Sequence, residues 1–282
     1  MTEFPMKVGF VGLGSIGKPM ALQLAASEHE LAVHDVVPGP VAELVAAGAR
    51  AEQSVADLAR SVDVLCVMVR DDQQVRAVVD EVLESATEGL VVLVHSTVSP
   101  ATPGELAGLA APRGVQVLDA PVSGGPMGAS EGTLAIMVGG SAEAFAQCGG
   151  VLSAMGTELL HAGPVGAGTR FKLARNLIHF VSFSAVTEAQ RLAEAAGLDL
   201  RALGEVVRHT DAITGGPGAI MHRTTTAALE PDDFWHGVFT HVRALGDKDL
   251  GFAIDLADQL GVDVPLARLA LDRLGPGLGL ED

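Results

Sequence analysis

Basic residues are scarce in this chain of 282 residues, with 18 Lys and Arg against 35 Asp and Glu and a formal charge of -17. That balance repels phosphate backbones. Neither a Lys/Arg cluster nor a basic arm interrupts it, which argues against a nucleic-acid partner and a polybasic membrane surface. Cysteine is rarer still. Cys66 and Cys148 are too few for a disulfide framework, and Cys66 lies in the apolar run 62–69, where a small hydrophobe is expected. Both read as reduced thiols of a cytoplasmic protein. Long apolar runs are missing as well: nothing reaches the ~20 residues that a bilayer span needs. No charged region leads an apolar stretch at the N-terminus, so a signal peptide is not expected either. Charged residues make up 19% of the chain and hydrophobic residues 48%, a composition that excludes disorder and fits a compact globular protein of one or two domains.

What is present is order along the chain. Short β-branched runs at 7–11, 30–34, 62–69, 90–95, 115–119 and 133–138 predict strands. The intervening segments 19–27, 40–47, 73–84 and 103–110 have helical periodicity. Alternation of this kind predicts a doubly wound parallel sheet with helices on both faces, and near-continuous apolar strands agree with it. Beyond about residue 165 the strand signal stops. A long Ala-rich helix is expected over 169–196, closed by Gly197, followed by helices at 199–209, 218–226, 242–259 and 265–274. The chain thus reads as a doubly wound (Rossmann-like) α/β domain over 1–164, a long interdomain helix, and an all-α domain over 165–282.

Three constellations carry chemistry. Gly12-Leu13-Gly14-Ser15-Ile16-Gly17 follows a strand and opens a helix, as the G-x-G-x-x-G pattern requires. Its glycines permit a tight turn, close approach of a pyrophosphate and close helix–strand packing, while the helix start offers N–H groups to the phosphates. Asp35, about 20 residues on, is placed to accept from ribose hydroxyls. It would repel a 2′-phosphate, and Val36, Val37 and Pro38 supply no Arg to hold one, so NAD is favoured over NADP. Val69, at the end of the apolar run 62–69, joins the expected cofactor contacts. The second constellation is Ser123-Gly124-Gly125, whose hydroxyl and unobstructed N–H groups can receive a carboxylate; a plain Gly-rich connection fits the spacing equally well. The third is Lys172 and Asn176, at i and i+4 on the long helix, where an ammonium can move a proton and an amide can fix an oxygen.

In this order the motifs GFVGLGSIGKPMA, DAPVSGGPMGASEGTLAIMVGG, GxxGxGxxxKxxxN and DKDLGFAIDLA resemble the β-hydroxyacid dehydrogenase family, over nearly the whole chain. The resemblance implies hydride transfer between NAD(P) and a small anionic β-hydroxy acid, 3-hydroxyisobutyrate-like, with Lys172 as catalytic acid/base. It implies that Ser123, Gly124, Gly125 and Asn176 hold substrate, that Thr97 of HSTVSP reaches the cofactor, and that Lys248 lies near its nicotinamide end. It also implies a homodimer or homotetramer. Leu93-Val94-His95 stands where relatives commonly carry an acid, and Arg175 replaces a small amide residue beside Asn176.

Other readings are an imine reductase using NADPH, which Lys172 disfavours, and a catalytically inactive cofactor-binding module. A 6-phosphogluconate dehydrogenase-like enzyme would need a much longer helical domain. His179, at i+7 from Lys172, reads as a packed core histidine rather than a proton path. His236 and His241, near Asp232 and Asp233, lack metal-ligand spacing, so no metal is expected, and Phe234-Trp235 reads as closing a helical core, with a lid over the cleft as the alternative.

Overall fold

A computed structural model describes residues 5–280 of the protein. The leader-free reading of the N-terminus falls partly on residues 1–4, outside that range. The chain divides into two compact units, Met1–Arg175 and Asn176–Asp282.

The first unit is built on one sheet. Its strands are β1 (Lys7–Val11), β2 (Glu30–His34), β3 (Arg50–Ala51), β4 (Val64–Val67), β5 (Val91–Val94), β6 (Gln116–Asp119), β7 (Val122–Ser123), β8 (Leu134–Gly139) and β9 (Gly156–Gly163). β3, β2, β1, β4, β5 and β6 lie side by side in that order and run parallel. Successive residues face opposite layers, as a pleated strand dictates. Val64, Cys66, Val91 and Leu93 pack with Met20 and Leu24 of helix Gly17–Ala25, and with Leu152 and Met155 of helix Gly149–Met155. Leu65, Val67, Val92 and Val94 pack on the other face. Their partners there are Leu58 of helix Val55–Ser61, Val75 and Val79 of helix Asp72–Ser85, and Leu106 of helix Thr102–Ala110. Continuous Val/Leu runs are therefore needed, because these strands are buried on both sides.

The parallel expectation fails at the far edge, where β8 runs antiparallel to β6 and β7. Only the short helix Gly125–Glu131 and two tight links separate β7 from β8, and a parallel return needs a crossover of a dozen or more residues. Ile136 of β8 pairs with Val122 on one side and Leu159 on the other, so β9 closes the opposite edge in parallel. β3, β7, β9 and the helices Val55–Ser61, Gly125–Glu131, Ala142–Gln147 and Gly149–Met155 were not expected. The four helices are six or seven residues long and β3 and β7 two residues each, too short for a periodic signal. Cys66 and Cys148 both lie in the core, and burial pushes both thiols up, Cys148 to about 12.

The second unit is helical. The long helix spans Ala167–Ala195 and begins in the first unit. After it, Gly197 adopts φ +74°, the left-handed conformation expected of a terminating glycine, while Leu198 N–H donates back to Ala193. Helices Leu200–Thr214, Phe234–Leu260 and Pro265–Gly277 follow. The helix expected over 218–226 is absent. Gly215 and Gly216 take positive φ, a single 3-10 turn covers Gly216–Gly218, and turns follow up to the Thr224-Thr225-Thr226 run. The next helix starts earlier than expected, because the Asp233 side chain caps it by accepting from Trp235 N–H at 2.7 Å. Trp235, the single tryptophan of a chain without tyrosine, stacks on His222 with centroids 5.1 Å apart and planes 2° from parallel, and it packs against Leu229, Phe239, Leu278 and Leu280. Glu188 is buried and caps the last helix from a distance, accepting from Leu266 N–H at 2.9 Å and Ala267 N–H at 3.1 Å. His179 is not a core residue. It is half-buried and sits against Phe183, centroids 4.3 Å apart, on a stripe where Phe180 and Phe183 are more than half exposed.

Candidate active site

The sheet reverses its winding between β1 and β4, and a doubly wound sheet opens a crevice at the carboxyl ends of such strands. Gly12 leaves β1 at φ +91°, where a side chain would collide with the Met68 carbonyl at the end of β4. A side chain on Gly17 would collide with the Gly12 carbonyl, so the helix start can approach the strand only with glycine there. Gly14 differs: a Cβ there would meet nothing within 4 Å. The first and third glycines thus satisfy internal packing, whereas the second leaves open space, as an approaching pyrophosphate requires. Ser15 is exposed and Ile16 partly buried, and the helix N-terminus presents its dipole to this space.

A cavity of about 680 Å³ runs from this loop. Its walls include Gly14, Asp35, Val69, Arg70, Gln74 and Glu81, and its size suits a small-molecule ligand. Asp35 accepts from Leu13 N–H at 2.6 Å and from Val37 N–H at 2.7 Å, so its carboxylate is fixed at the mouth of the glycine loop. Val69 is held by a residue that sequence reasoning missed. Ser96 Oγ accepts from Val69 N–H at 2.9 Å and donates to the Val69 carbonyl at 2.8 Å, clipping the end of β4 to the end of β5. Thr97, next in the chain, is exposed at that same end.

His95, just before Ser96, is fully buried, with Nδ1 2.8 Å from the Ala120 carbonyl and Nε2 without a partner. Burial lowers its pKa to about 4, so the ring is neutral and Nδ1 is the donor. The unpaired Nε2 is then a bare acceptor.

Ser123 ends β7, and Gly124 and Gly125 follow with φ +133° and +62°. A Cβ on Gly125 would meet nothing within 4 Å, so open space adjoins this turn. From the long helix, Lys172 is buried and its Nζ donates to Ser123 Oγ at 3.1 Å. Desolvation, followed by the neighbouring Arg175 cation, lowers the Lys172 pKa to about 8. An amine so tuned can exchange a proton near neutral pH. Gly12, Gly14, Ser15, Ile16, Gly17, Asp35 and Val69 therefore gather at one cavity, whereas the Leu13 side chain packs into the core, and Ser123 approaches Lys172. Asn176, one turn beyond Lys172, and Lys248 both belong to the second unit, where Lys248 pairs with Asp249 at 3.2 Å. Among the described residues no cluster of His, Cys, Asp and Glu could hold a metal ion.

The NAD-binding domain of 6-phosphogluconate dehydrogenase matches residues 7–163, and the NAD-binding domain of NADP-dependent 3-hydroxyisobutyrate dehydrogenase matches residues 166–274. The chain belongs to the β-hydroxyacid dehydrogenase family. As a family member it is an NAD(P)-dependent dehydrogenase. It is 48% identical to an uncharacterised oxidoreductase of Mycobacterium tuberculosis, over 99% of this chain and 96% of the relative. An NAD-dependent L-serine dehydrogenase of Pseudomonas aeruginosa is 36% identical, over 94% of this chain and 90% of that one. Among solved structures, an oxidoreductase of Mycobacterium avium superposes with a TM-score of 0.95 at 47% identity, covering 98% of this chain and all of that one. The remaining glycines and carboxylates of the site take their meaning within this β-hydroxyacid dehydrogenase frame.

Proposed function

We propose that the protein interconverts a small β-hydroxy acid and its semialdehyde, with NAD as the preferred cofactor and Lys172 as the acid/base. The observation that carries the reading is the buried Lys172 ammonium, hydrogen-bonded to Ser123 of the glycine-rich loop. Ser123, Gly124 and Gly125 receive the substrate carboxylate, and Asn176 orients the reacting oxygen. In oxidation Lys172 takes the hydroxyl proton, and in reduction it returns it. Bound NAD supplies the hydride acceptor. Gly12, Leu13, Gly14, Ser15, Ile16 and Gly17 hold its pyrophosphate, Asp35 its ribose, and Val69, Thr97 and Lys248 its remaining length.

NAD is preferred over NADP because Asp35 would repel a 2′-phosphate and the following Val36, Val37 and Pro38 offer no cation. The NAD dependence of the P. aeruginosa relative supports the same choice. In this reading residues 1–164 form the cofactor-binding domain, and 165–282 the substrate and self-association domain. Leu177, Phe180 and Phe183, each more than half exposed on the long helix, suit burial against a second copy of the chain. Sedimentation velocity showing only monomer would remove that part of the reading.

The decisive experiment is initial-rate reduction of NAD and NADP with 3-hydroxyisobutyrate, 3-hydroxypropionate, glycerate, L-serine and 4-hydroxybutyrate, repeated with Lys172→Ala. Turnover of at least one acid, favouring NAD and falling at least ~10²-fold in kcat in the variant, is the expected result. Undiminished turnover in Lys172→Ala would strike Lys172 from the chemistry.

A further inference from the structure

Asp119 stands at the end of β6, 1% exposed, and its two carboxylate oxygens accept from the backbone N–H groups of Gly166 and Thr169, each at 2.6 Å. Those donors open the long helix, whose first turn has N–H groups without intrahelical acceptors. A buried carboxylate from a distant strand therefore fastens that helix start, with charge-assisted bonds. The approach is so close that two positions must be glycine. A Cβ on Gly139 would collide with Asp119 Oδ1, and one on Gly168 would collide with the Met137 carbonyl.

The two ends of this fastening lead to the two partners of the Lys172–Ser123 hydrogen bond. Thr169 lies one turn before Lys172, and Asp119 lies just before Ser123 on the same strand-to-loop segment. That segment is secured from β5 as well, since Ala120 N–H donates to the Val94 carbonyl at 2.8 Å and His95 Nδ1 donates to the Ala120 carbonyl at 2.8 Å. Two ties thus join loop and helix: Asp119 to the first turn, and Ser123 to Lys172.

We propose that Asp119 is a positioning residue for Lys172, locking the loop that carries Ser123 and the helix that carries Lys172 into one frame. The proposal rests on the acid/base reading of Lys172. Its carboxylate is consumed by the two backbone donors, so its influence on catalysis runs through where Lys172 stands. Asn in its place keeps the shape but turns an N–H donor toward another N–H donor, which releases one side of the fastening.

The test is a double-mutant cycle on the full chain: wild type, Asp119→Asn, Lys172→Ala and both together. kcat and KM are measured with L-serine and 3-hydroxyisobutyrate, and NADH affinity by calorimetry. Asp119→Asn should lower kcat about 10²-fold, as a misplacement of about 1 Å does, with KM changed less than about twofold and NADH affinity retained. In the Lys172→Ala background the same substitution should change kcat less than about threefold, because the group it positions is gone. An equal fall in both backgrounds, or a rise in KM without a fall in kcat, overturns the proposal and leaves Lys172 as the acid/base. Full activity in Lys172→Ala overturns the acid/base reading, and the positioning role with it. Should Asp119→Asn fail to fold, Thr169→Pro removes one donor at a first-turn position that tolerates proline. It should lower kcat only when Lys172 is present, and a fall of the same size without Lys172 counts against the proposal.

Discussion

Lys172 Nζ and Ser123 Oγ, far apart in sequence, meet at 3.1 Å in the first compact unit. The partner is a neutral hydroxyl, so no anion holds the proton on the amine. Burial and the Arg175 cation both favour the neutral amine, and they bring its pKa to about 8.

A pH dependence follows from that value. Oxidation of the hydroxy acid needs neutral Lys172, so kcat/KM should rise with pH and level off above about 8. Reduction needs the ammonium and should fall over the same range. Replacing Arg175 with Gln removes a like charge, which favours the protonated amine, so both limbs should move to higher pH. Stopped-flow or steady-state profiles in both directions provide the check, and limbs that stay in place in Arg175→Gln would show that this cation does not act on Lys172.

Cofactor choice turns on Asp35. Asp35→Ser removes the charge that opposes a 2′-phosphate and also releases Leu13 N–H, which the carboxylate now holds at 2.6 Å. The ratio of kcat/KM for NAD to that for NADP should fall about tenfold or more, a change of ~1.4 kcal/mol. Paired initial rates at limiting cofactor measure it. A ratio that does not move would place the discrimination elsewhere in the pocket.

Acid stability should report on His95. Its folded pKa of about 4 lies below the ordinary histidine value of about 6.5, so between these two pH values the unfolded chain binds a proton that the native protein refuses. Stability is therefore complete above about pH 6.5 and drains away as pH falls toward 4, by roughly 3 kcal/mol from this residue. In His95→Gln that component vanishes. Urea melts from pH 7 to 4 should give a shallower decline for the variant than for wild type. Parallel declines would mean that His95 titrates freely in the native state.

The thiols should be inert while the protein is folded. Cys66 and Cys148 are fully buried, and burial pushes both up, so almost no thiolate is available to attack a reagent. A disulfide reagent added to native protein should release no chromophore within minutes, and both thiols should react at once in guanidinium. Prompt reaction of native protein would reveal local opening of the core that contains them.

The nucleotide-binding half is readable in the sequence because its strands are buried on both faces, so that the apolar stretches 8–11 and 31–33, led by Lys7 and Glu30, mark β1 and β2 with the bounds that the structure shows. The glycine loop was equally legible, since its constraints act between near neighbours. Asp119 stands within a motif, yet its task is hidden in the sequence, because its partners Gly166 and Thr169 lie 47 and 50 residues away and offer only backbone. Ser96 escaped for the same reason. The reversal of β8 was missed because its cause is the shortness of the link from β7, a matter of reach rather than of residue type. At 218–226 helical periodicity lost to the backbone of Gly215 and Gly216, whose positive φ ends the preceding helix.

Trp235 and its stack on His222 have an optical consequence. With one tryptophan and no tyrosine, essentially all ultraviolet emission of the polypeptide originates in the unit that begins at Asn176, and the nucleotide-binding unit is dark. Melting followed by this emission would therefore report the second unit alone, without a label or a substitution, and comparison with the far-ultraviolet circular dichroism of the whole chain would reveal whether that unit loses its structure before the rest.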